Sequence, residues 1–354
     1  SIVGEAGHGK SRLAQELLHY VDGLAGTFLW HEGRSPAYGD GVSFWALGEM
    51  VRQRAGIAET DPPLVARTAV RDTATRYAAD DEDAEWLAGY LSGLLGIDEM
   101  PAGDRTELFA ALRTFFQRLS EEAPVVLIFE DLHWADGGLL EFITDLVGRS
   151  DRHPILVVTL ARPSLLEEHP DWGGVRGGVG TRLHPLGEVD MRALLDGTVD
   201  ELDHGAADLI VTAAAGIPLY AVEFLRTLLA EGAITWVDGR LRQVAAVSDL
   251  SMPDSLHAII GSRLDRFPPH LQSLIQDASV LGQSFTEDWL GPTSGAGDIA
   301  DALSELVAAE VTATEADWGR VPWQDGLPEV FAAGLEPYRE RLEENYSAAT
   351  NPFE

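Results

Sequence analysis

The sequence contains no cysteine among its 354 residues, and this absence excludes several kinds of chemistry. Without a thiol there is no disulfide framework, no thiolate metal site and no cysteine nucleophile. The absence also fits a reducing compartment, so a cytoplasmic location is expected. No apolar run approaches the roughly 20 residues that a membrane-spanning helix needs, and we expect no membrane role.

Basic residues are scarce, and lysine is almost missing. The chain has 25 Lys and Arg residues against 58 Asp and Glu residues, for a formal net charge of −33. Such a surface repels nucleic acid phosphates and anionic lipids, and no basic patch offsets it, so we expect no direct nucleic-acid binding by this segment. Lys10 is the only lysine in the sequence.

The sequence also lacks an initiator methionine, and only three residues precede its first glycine. We therefore expect a truncated first strand and a chain cut from a longer polypeptide, in which a targeting signal upstream would not be visible. The composition, 45% hydrophobic and 23% charged, is that of a folded protein. The length predicts two or three domains.

The single lysine lies in a glycine-rich segment, GEAGHGKS. Gly4, Gly9, Lys10 and Ser11 satisfy the pattern G-x-x-x-x-G-K-[ST], and a helix-forming run follows. The glycines, with Gly7, let successive backbone N–H groups surround an anion at a helix N-terminus. Lys10 would reach the β- and γ-phosphates of a nucleotide as a compact point charge, and Ser11 would place its hydroxyl on Mg²⁺. At these positions alone, the alternative is a chance match.

A second motif, PVVLIFEDLHWAD at 124–136, is an apolar run that ends in two carboxylates. The run predicts a buried parallel strand, with Glu130 and Asp131 at its carboxyl end. One carboxylate would hold Mg²⁺, and the next would orient or deprotonate a water molecule. Alone, the motif is better explained as a core strand followed by an ordinary acidic helix cap, but together with the glycine-rich loop the nucleotide site is favoured. For His133, packing is favoured over a role as general base.

A third strand is predicted at 153–163, HPILVVTLARP, which places Arg162 at its tip. The arginine would lie near the γ-phosphate, although a solvated residue before a turn is the alternative. Further strands are predicted at 27–32 and 181–184, and a helix at 105–119. Strands that alternate with helices predict an α/β fold with a doubly wound parallel sheet, whose ligands bind at the carboxyl edge.

Beyond residue 187 the patterns turn helical. Helices are predicted within 190–199, 206–216 and 218–232, with Gly216 ending one and Pro218 starting the next. The segment AITWVDGRLRQV predicts a β-hairpin that turns at Asp238-Gly239. A linker is predicted at 244–253, followed by two helices broken at Pro268-Pro269. No structure is assigned to 320–354.

Six segments together resemble the AAA-type ATPase module of the STAND signalling NTPases. They are GEAGHGKSRL, GRSPAYGDGVSFWAL, LIFEDLHWAD, ARPSLLEEHPDW, GIPLY and SRLDRFPPHLQSLIQDASVLGQSF. The version resembled is that of actinobacterial proteins, in which the module lies behind a class III adenylate or guanylate cyclase domain or ahead of a LuxR-type DNA-binding domain. The resemblance covers roughly residues 1–290.

The resemblance implies a role for each motif residue. The loop glycines, Lys10, Ser11 and Arg12 would bind the ATP phosphates, and Ser11 would also hold Mg²⁺. Glu130 would take the metal-site acid position and Asp131 the catalytic position. Many relatives carry Asp-Asp or Asp-Glu at these two positions, so the metal-binding oxygen lies one methylene further out in this chain, which implies slow hydrolysis.

Two more residues and the domain division also follow from the resemblance. Arg162 would be the sensor arginine, and Pro218, in a Gly-x-Pro turn of a helical lid, would pack near the adenine. The implied domains are a P-loop nucleotide-binding domain at 1–187, a helical lid with a hairpin at 188–247, a winged-helix-like domain at 248–320 and a tail of unassigned structure at 321–354.

Three functions remain open at this point. The resemblance favours a nucleotide switch that binds ATP or ADP, hydrolyses ATP slowly and relays its state to a fused output domain, with self-association as a further option. The output, cyclic nucleotide synthesis or transcriptional regulation, would lie outside these residues. The alternatives are a kinase-like phosphotransferase and a scaffold that binds no nucleotide. The intact motifs disfavour the scaffold, and the absence of a second clustered site disfavours the kinase.

Overall fold

The computed structural model describes residues 1–24, 26–36, 44–58, 61–103, 105–173, 178–237, 240–245, 267–281 and 299–308. These residues form two units, the first ending at His184 and the second starting at Pro185. Within the described ranges, no helix is long and apolar enough to cross a membrane.

Five parallel strands form the sheet of the first unit, in the order β2-β3-β4-β1-β5. They are β1 Ile2–Val3, β2 Leu29–Arg34, β3 Val125–Glu130, β4 Ile155–Ala161 and β5 Thr181–Arg182. Because parallel strands need crossover connections, helices separate them along the chain. The predicted α/β fold, a P-loop NTPase with a doubly wound parallel sheet, is confirmed.

Seven helices are described in the first unit. They are α1 Lys10–Asp22, α2 Trp45–Ala55, α3 Pro63–Tyr77, α4 Asp81–Leu94, α5 Arg105–Glu122, α6 Gly137–Arg149 and α7 Ser164–Glu168. Their starts follow local chemistry: the Asp80 side chain caps α4 and the Asp136 side chain caps α6, each by accepting a backbone N–H. The helix predicted at 105–119 is confirmed and runs three residues further.

The core of the first unit lies between the sheet and these helices. Every side chain of β3 is buried, which explains the unbroken apolar run that predicted this strand. Phe115 and Phe116 of α5 pack with Phe129 of β3, and all three are fully buried. Each such phenylalanine stabilises the fold by about 1.5–3 kcal/mol through burial, so the core fixes the strand that carries the acid pair.

The predicted strand at 27–32 is displaced in the structure, where β2 covers Leu29–Arg34. The prediction stopped early because glycine is a poor strand former. Gly33 nevertheless continues the strand. The position requires glycine, because a β-carbon there would lie 2.1 Å from the Ala46 carbonyl oxygen of α2. The longer strand brings Arg34 opposite Glu130.

The second unit contains five described helices and a small sheet. The helices are α8 Glu188–Thr198, α9 His204–Ala214, α10 Pro218–Ala230, α11 Pro269–Leu281 and α12 Ile299–Ala308. The strands are β6 Val199–Asp200, β7 Ile234–Val237 and β8 Arg240–Gln243, in the order β6-β8-β7. Phe224 of α10 and Ile210 of α9 lie in the core that joins α8, α9 and α10 to the sheet, whereas α11 and α12 pack together in a separate core.

Several predictions in this unit are confirmed and one is wrong. Pro218 is the first residue of α10, and β7 pairs with β8 in an antiparallel hairpin. Helix α11 begins at Pro269, where a break was predicted. The helix predicted to include residue 199 ends at Thr198, because Val199 pairs in parallel with Leu241 of β8.

Other predictions fall outside the described residues. They are the hairpin turn at 238–239, most of the linker at 244–253, the helix before Pro268, most of the winged-helix-like domain at 248–320 and the tail at 321–354.

Candidate functional site

The glycine-rich loop joins β1 to α1 and leaves the N-terminus of α1 open. Gly7 and Gly9 have φ angles of 79° and 89°, in the left-handed region that glycine adopts without strain. Gly9 is the N-cap of α1 and has no side chain to cap it. The first backbone N–H groups of the helix, with their partial positive charge, are therefore available to an anion.

Lys10 folds back over this loop. Its Nζ donates to the carbonyl oxygens of Gly4, at 2.9 Å, and Glu5, at 3.0 Å. Burial lowers the pKa of Lys10 from its ordinary value, the Asp131 carboxylate raises that pKa, and the Arg162 guanidinium lowers it further. The amine is thus within electrostatic reach of both the acid pair and the arginine.

Arg162 follows the last residue of β4, the strand that lies between β1 and β3. The sheet order therefore places the arginine between the loop that carries Lys10 and the strand that carries the acid pair. Arg162 is exposed, and no ion pair of its guanidinium occurs among the described residues. An exposed guanidinium beside an open helix N-terminus suits an incoming phosphate.

Glu130 and Asp131 end β3 as the sequence predicts, but both contact an arginine that the sequence analysis did not single out. Arg34 Nε donates to Glu130 Oε2 at 3.1 Å, and its Nη2 contacts the same oxygen. Arg34 Nε also lies 3.4 Å from Asp131 Oδ2. Although burial alone would lower the pKa of Arg34, the paired carboxylates hold it above its ordinary value.

The Arg34 contact explains how Glu130 is kept in the interior. The Glu130 side chain is only 5% exposed, and a buried carboxylate is costly without a charged partner. Burial, followed by the charge of Glu130, raises the pKa of the neighbouring Glu32 to about 7, although Arg34 acts in the opposite direction. Arg34 thus provides the positive charge for a cluster of three carboxylates, those of Glu130, Asp131 and Glu32.

The missed residue had a detectable signal. Arg34 is part of the segment GRSPAYGDGVSFWAL, but the predicted strand ended at residue 32. Once β2 is extended to Arg34, the parallel register places this residue beside Glu130. Because a buried carboxylate is costly without a charged partner, a cation is expected at the end of the neighbouring strand.

Asp131 and His133 occupy a tight turn after β3. Asp131 has a φ of 51°, an unusual left-handed conformation that aspartate tolerates better than most residues. The His133 ring packs on Trp134 with centroids 5.0 Å apart, and neither of its ring nitrogens has a hydrogen-bond partner in the part of the chain that the structure describes. Burial lowers the pKa of His133, so the neutral ring is favoured. This arrangement fits the packing role favoured for His133.

The residues fit a nucleotide with Mg²⁺. The open helix N-terminus, Lys10 and Arg162 provide positive charge for phosphates, and Ser11 in the first turn of α1 is exposed. Within the described ranges, no cluster of three or more His, Asp or Glu residues could hold a metal by itself. Mg²⁺ commonly takes one or two protein oxygens and completes its shell with water and phosphate, so this arrangement suits it. Pro218 and Arg12 lie at the starts of α10 and α1, respectively.

Comparison with known proteins gives a family match for the first part of the chain. Residues 1–158 match the family described as AAA ATPase domain. The match covers the glycine-rich loop, the acid pair and the first four residues of β4, and it ends before Arg162.

Two further similarities are more distant. An uncharacterized protein of Rhizobium meliloti (strain 1021) is 24% identical over 324 residues, which cover 86% of this chain and 30% of that protein. The chain therefore spans under a third of the length of this curated relative. A crystal structure of Cdc6p from Pyrobaculum aerophilum matches with a TM-score of 0.41 and 14% identity, over 96% of this chain and 87% of that chain.

Proposed function

We propose that this chain is the ATP-binding regulatory module of a STAND-type nucleotide switch. It binds Mg-ATP, hydrolyses it slowly and passes its nucleotide state to a fused output domain, a cyclase or a LuxR-type DNA-binding domain. The proposal includes a cytoplasmic location, where ATP is available, and the domain division at 1–187, 188–247, 248–320 and 321–354.

One observation carries the proposal. Lys10, Arg162 and the pair Glu130 and Asp131 come from three different strand ends and meet within electrostatic reach at one edge of the sheet. In open parallel sheets this edge is where ligands bind. The AAA ATPase match of residues 1–158 supports ATP as the ligand.

Each residue has a proposed role. The glycine loop, Lys10, Ser11 and Arg12 bind the phosphates, and Ser11 and Glu130 hold Mg²⁺. Asp131 orients or deprotonates the attacking water, and Arg162 senses the terminal phosphate. Bound Mg-ATP would supply the triphosphate and the metal charge. Pro218, in the proposed lid, contacts the adenine.

The contacts of Arg34 support slow turnover. Its guanidinium is paired with both Glu130 and Asp131, so a metal ion must share these carboxylates with it or replace it. Such competition weakens the hold of the acids on Mg²⁺ and on water. Slow hydrolysis suits a switch, because the bound state must persist long enough to be read.

Calorimetric titration with Mg-ATP and Mg-ADP tests the proposal. We expect saturable ATP binding by the wild-type chain, a loss of about 100-fold or more in Lys10→Ala, and only partial recovery in Lys10→Arg, because a guanidinium cannot occupy the same space. Arg152→Ala is the matched control, since Arg152 is an exposed cation before the amino end of β4, at the opposite edge of the sheet.

Equal weak heats for wild type and Lys10→Ala would refute nucleotide binding at this site. ATP turnover that rises only when a small acceptor is added would instead indicate the phosphotransferase alternative. Phosphate release without any acceptor, at a rate far below the 1–100 per second that is typical of kinases, is the expected result.

A further inference from the structure

A groove of about 930 Å³ runs along α6 in the first unit. One wall is the face of α6 from Gly137 to Gly148, and the other is the segment Glu168–Trp172. At 1.5 Å of rise per residue, the α6 wall is about 16 Å long, enough for two to three turns of a docked helix. None of its lining residues belongs to the proposed nucleotide site. We call it the α6 groove.

The α6 groove has an apolar floor and an open helix face. Leu140 and Trp172 line it, and both contribute to the hydrophobic core of the unit. A β-carbon added to Gly137 or Gly148 would meet nothing within 4 Å, so another chain can approach the α6 backbone closely at both ends. Glycine inside a helix costs stability relative to alanine, and no described residue packs against Gly148 closely enough to require it.

A polar group in the same wall has no partner. The indole N–H of Trp172 is buried, and the described residues provide no acceptor for it. Buried tryptophan N–H groups normally donate a hydrogen bond. Because this N–H is buried, the groove is lined by the other atoms of Trp172.

The charge of the groove selects the kind of occupant. Its lining carries four carboxylates, two of which are neutralised: Glu141 pairs with Arg105, and Asp145 pairs with Arg113 and Arg149. Glu168 and Asp171, on the loop wall, are exposed and form no ion pair with other described residues. Acidic rims around an apolar floor attract cationic partners and repel anionic ones.

Charge also disfavours the other occupants. A second copy of this chain, with a net charge of −33, would bring like charge against Glu168 and Asp171. Nucleic acids and anionic lipid surfaces are repelled for the same reason.

We propose that the α6 groove is a docking site for a cationic amphipathic segment of a partner protein. An apolar side chain of that segment lies on Leu140 and Trp172, and its Lys or Arg residues pair with Glu168 and Asp171. Helix-in-groove docking of this kind uses one apolar face for affinity and flanking charges for register.

Fluorescence anisotropy with two labelled peptides tests this proposal on the whole chain. The first is a tryptophan-free helical peptide as long as α6, with Leu on one face and Lys on the other, and the second carries Glu in place of Lys. We expect saturable binding of the Lys peptide, at least tenfold weaker binding of the Glu peptide, and a clear loss of affinity as salt is raised.

Two pairs of variants localise the binding. Glu168→Gln/Asp171→Asn should weaken the Lys peptide about tenfold. Asp72→Asn/Glu121→Gln should not, although it also removes two exposed carboxylates that form no ion pair with described residues. Gly148→Trp should block the groove. Gly180→Trp is its control, because a β-carbon there also meets nothing within 4 Å. Circular dichroism verifies that each variant is folded.

Three outcomes would overturn the proposal. The first is no saturable binding of the Lys peptide. The second is an equal loss in both charge variants, which would mean diffuse attraction to an acidic surface. The third is self-association in sedimentation velocity that Gly148→Trp abolishes, because the occupant would then be a second copy of this chain.

Discussion

At the scale of single residues, the acid pair is held in place by one arginine rather than by its strand alone. Arg34 supplies the positive charge for Glu130, which is buried, and for Asp131, which is partly exposed. A buried ion pair contributes little net stability, but removing one partner leaves the other charge uncompensated. The arginine is therefore a sensitive position for the fold as well as for the site.

Arg34→Met should destabilise the protein by roughly 2–4 kcal/mol, because Glu130 would remain buried beside Glu32 without a cation. Arg67→Met is the control, since Arg67 pairs with Asp98 with both side chains about 40% exposed. Such an exposed pair is worth less than about 1 kcal/mol. Urea denaturation of both variants measures the difference. Equal costs would mean that Glu130 is stabilised by something other than Arg34.

His31 provides a second test at the residue scale, through pH. Burial, followed by the charge of Arg54, lowers the pKa of His31 to about 4. The unfolded chain, with a histidine pKa near 6.5, therefore binds more protons than the folded chain between about pH 4 and pH 6.5. Stability is fully retained above about pH 6.5 and falls as the pH is lowered through this window.

Between pH 7.5 and pH 5, this effect should cost wild type about 2 kcal/mol more than it costs His31→Gln. Urea unfolding of both proteins at the two pH values gives the difference, in which the shared titration of other groups cancels. His169→Gln, at an exposed histidine, should behave as wild type. A His31→Gln variant with the same pH dependence as wild type would contradict the buried neutral imidazole.

At the scale of helices and strands, the sequence predicted what local chemistry determines. The β3 run, Pro218 at the start of α10 and the pairing of β7 with β8 were all correct, because apolar run length, the fixed φ of proline and short strand-forming runs act within a few residues. The end of β2 could not be found in this way. It depends on the packing of Gly33 under α2 and on the pairing of Arg34 across the sheet.

Two glycines, Gly33 at the junction of β2 and α2 and Gly148 in α6, should respond in opposite directions to substitution by alanine. Gly33→Ala should destabilise the protein by about 3 kcal/mol or more, since its β-carbon would overlap the Ala46 backbone, which cannot rotate away. Gly148→Ala should stabilise it by about 0.5–1 kcal/mol, because the position is helical and open. Thermal or urea unfolding measures both changes. A tolerated Gly33→Ala would show that β2 and α2 are less tightly packed than described.

At the scale of the whole molecule, the site is built from segments far apart in the sequence. The motifs identified Lys10, Glu130 and Asp131 separately, but the strand order that brings Arg162 between them is a property of the folded sheet. The chain spans 30% of the length of the curated relative it matches, and the output domain and the relay are part of the proposed function only.

The strongest molecule-wide property is charge, and it predicts how salt affects stability. A net charge of −33 makes the folded chain repel itself, and the separation between like charges is smaller when folded than when unfolded. Raising the salt concentration from about 0.01 M to about 0.1 M shortens the Debye length from about 30 Å to about 10 Å, which screens this repulsion. Salt also weakens the exposed ion pairs, such as that of Arg67 with Asp98, but each of these contributes little.

The melting temperature should therefore rise by a few degrees, an increase of about 1–2 kcal/mol in stability. Sodium chloride and choline chloride at equal ionic strength should give equal shifts, because screening does not depend on the identity of the ion. A melting temperature that falls with salt would mean that attractive pairs, rather than net repulsion, dominate the electrostatics of this fold.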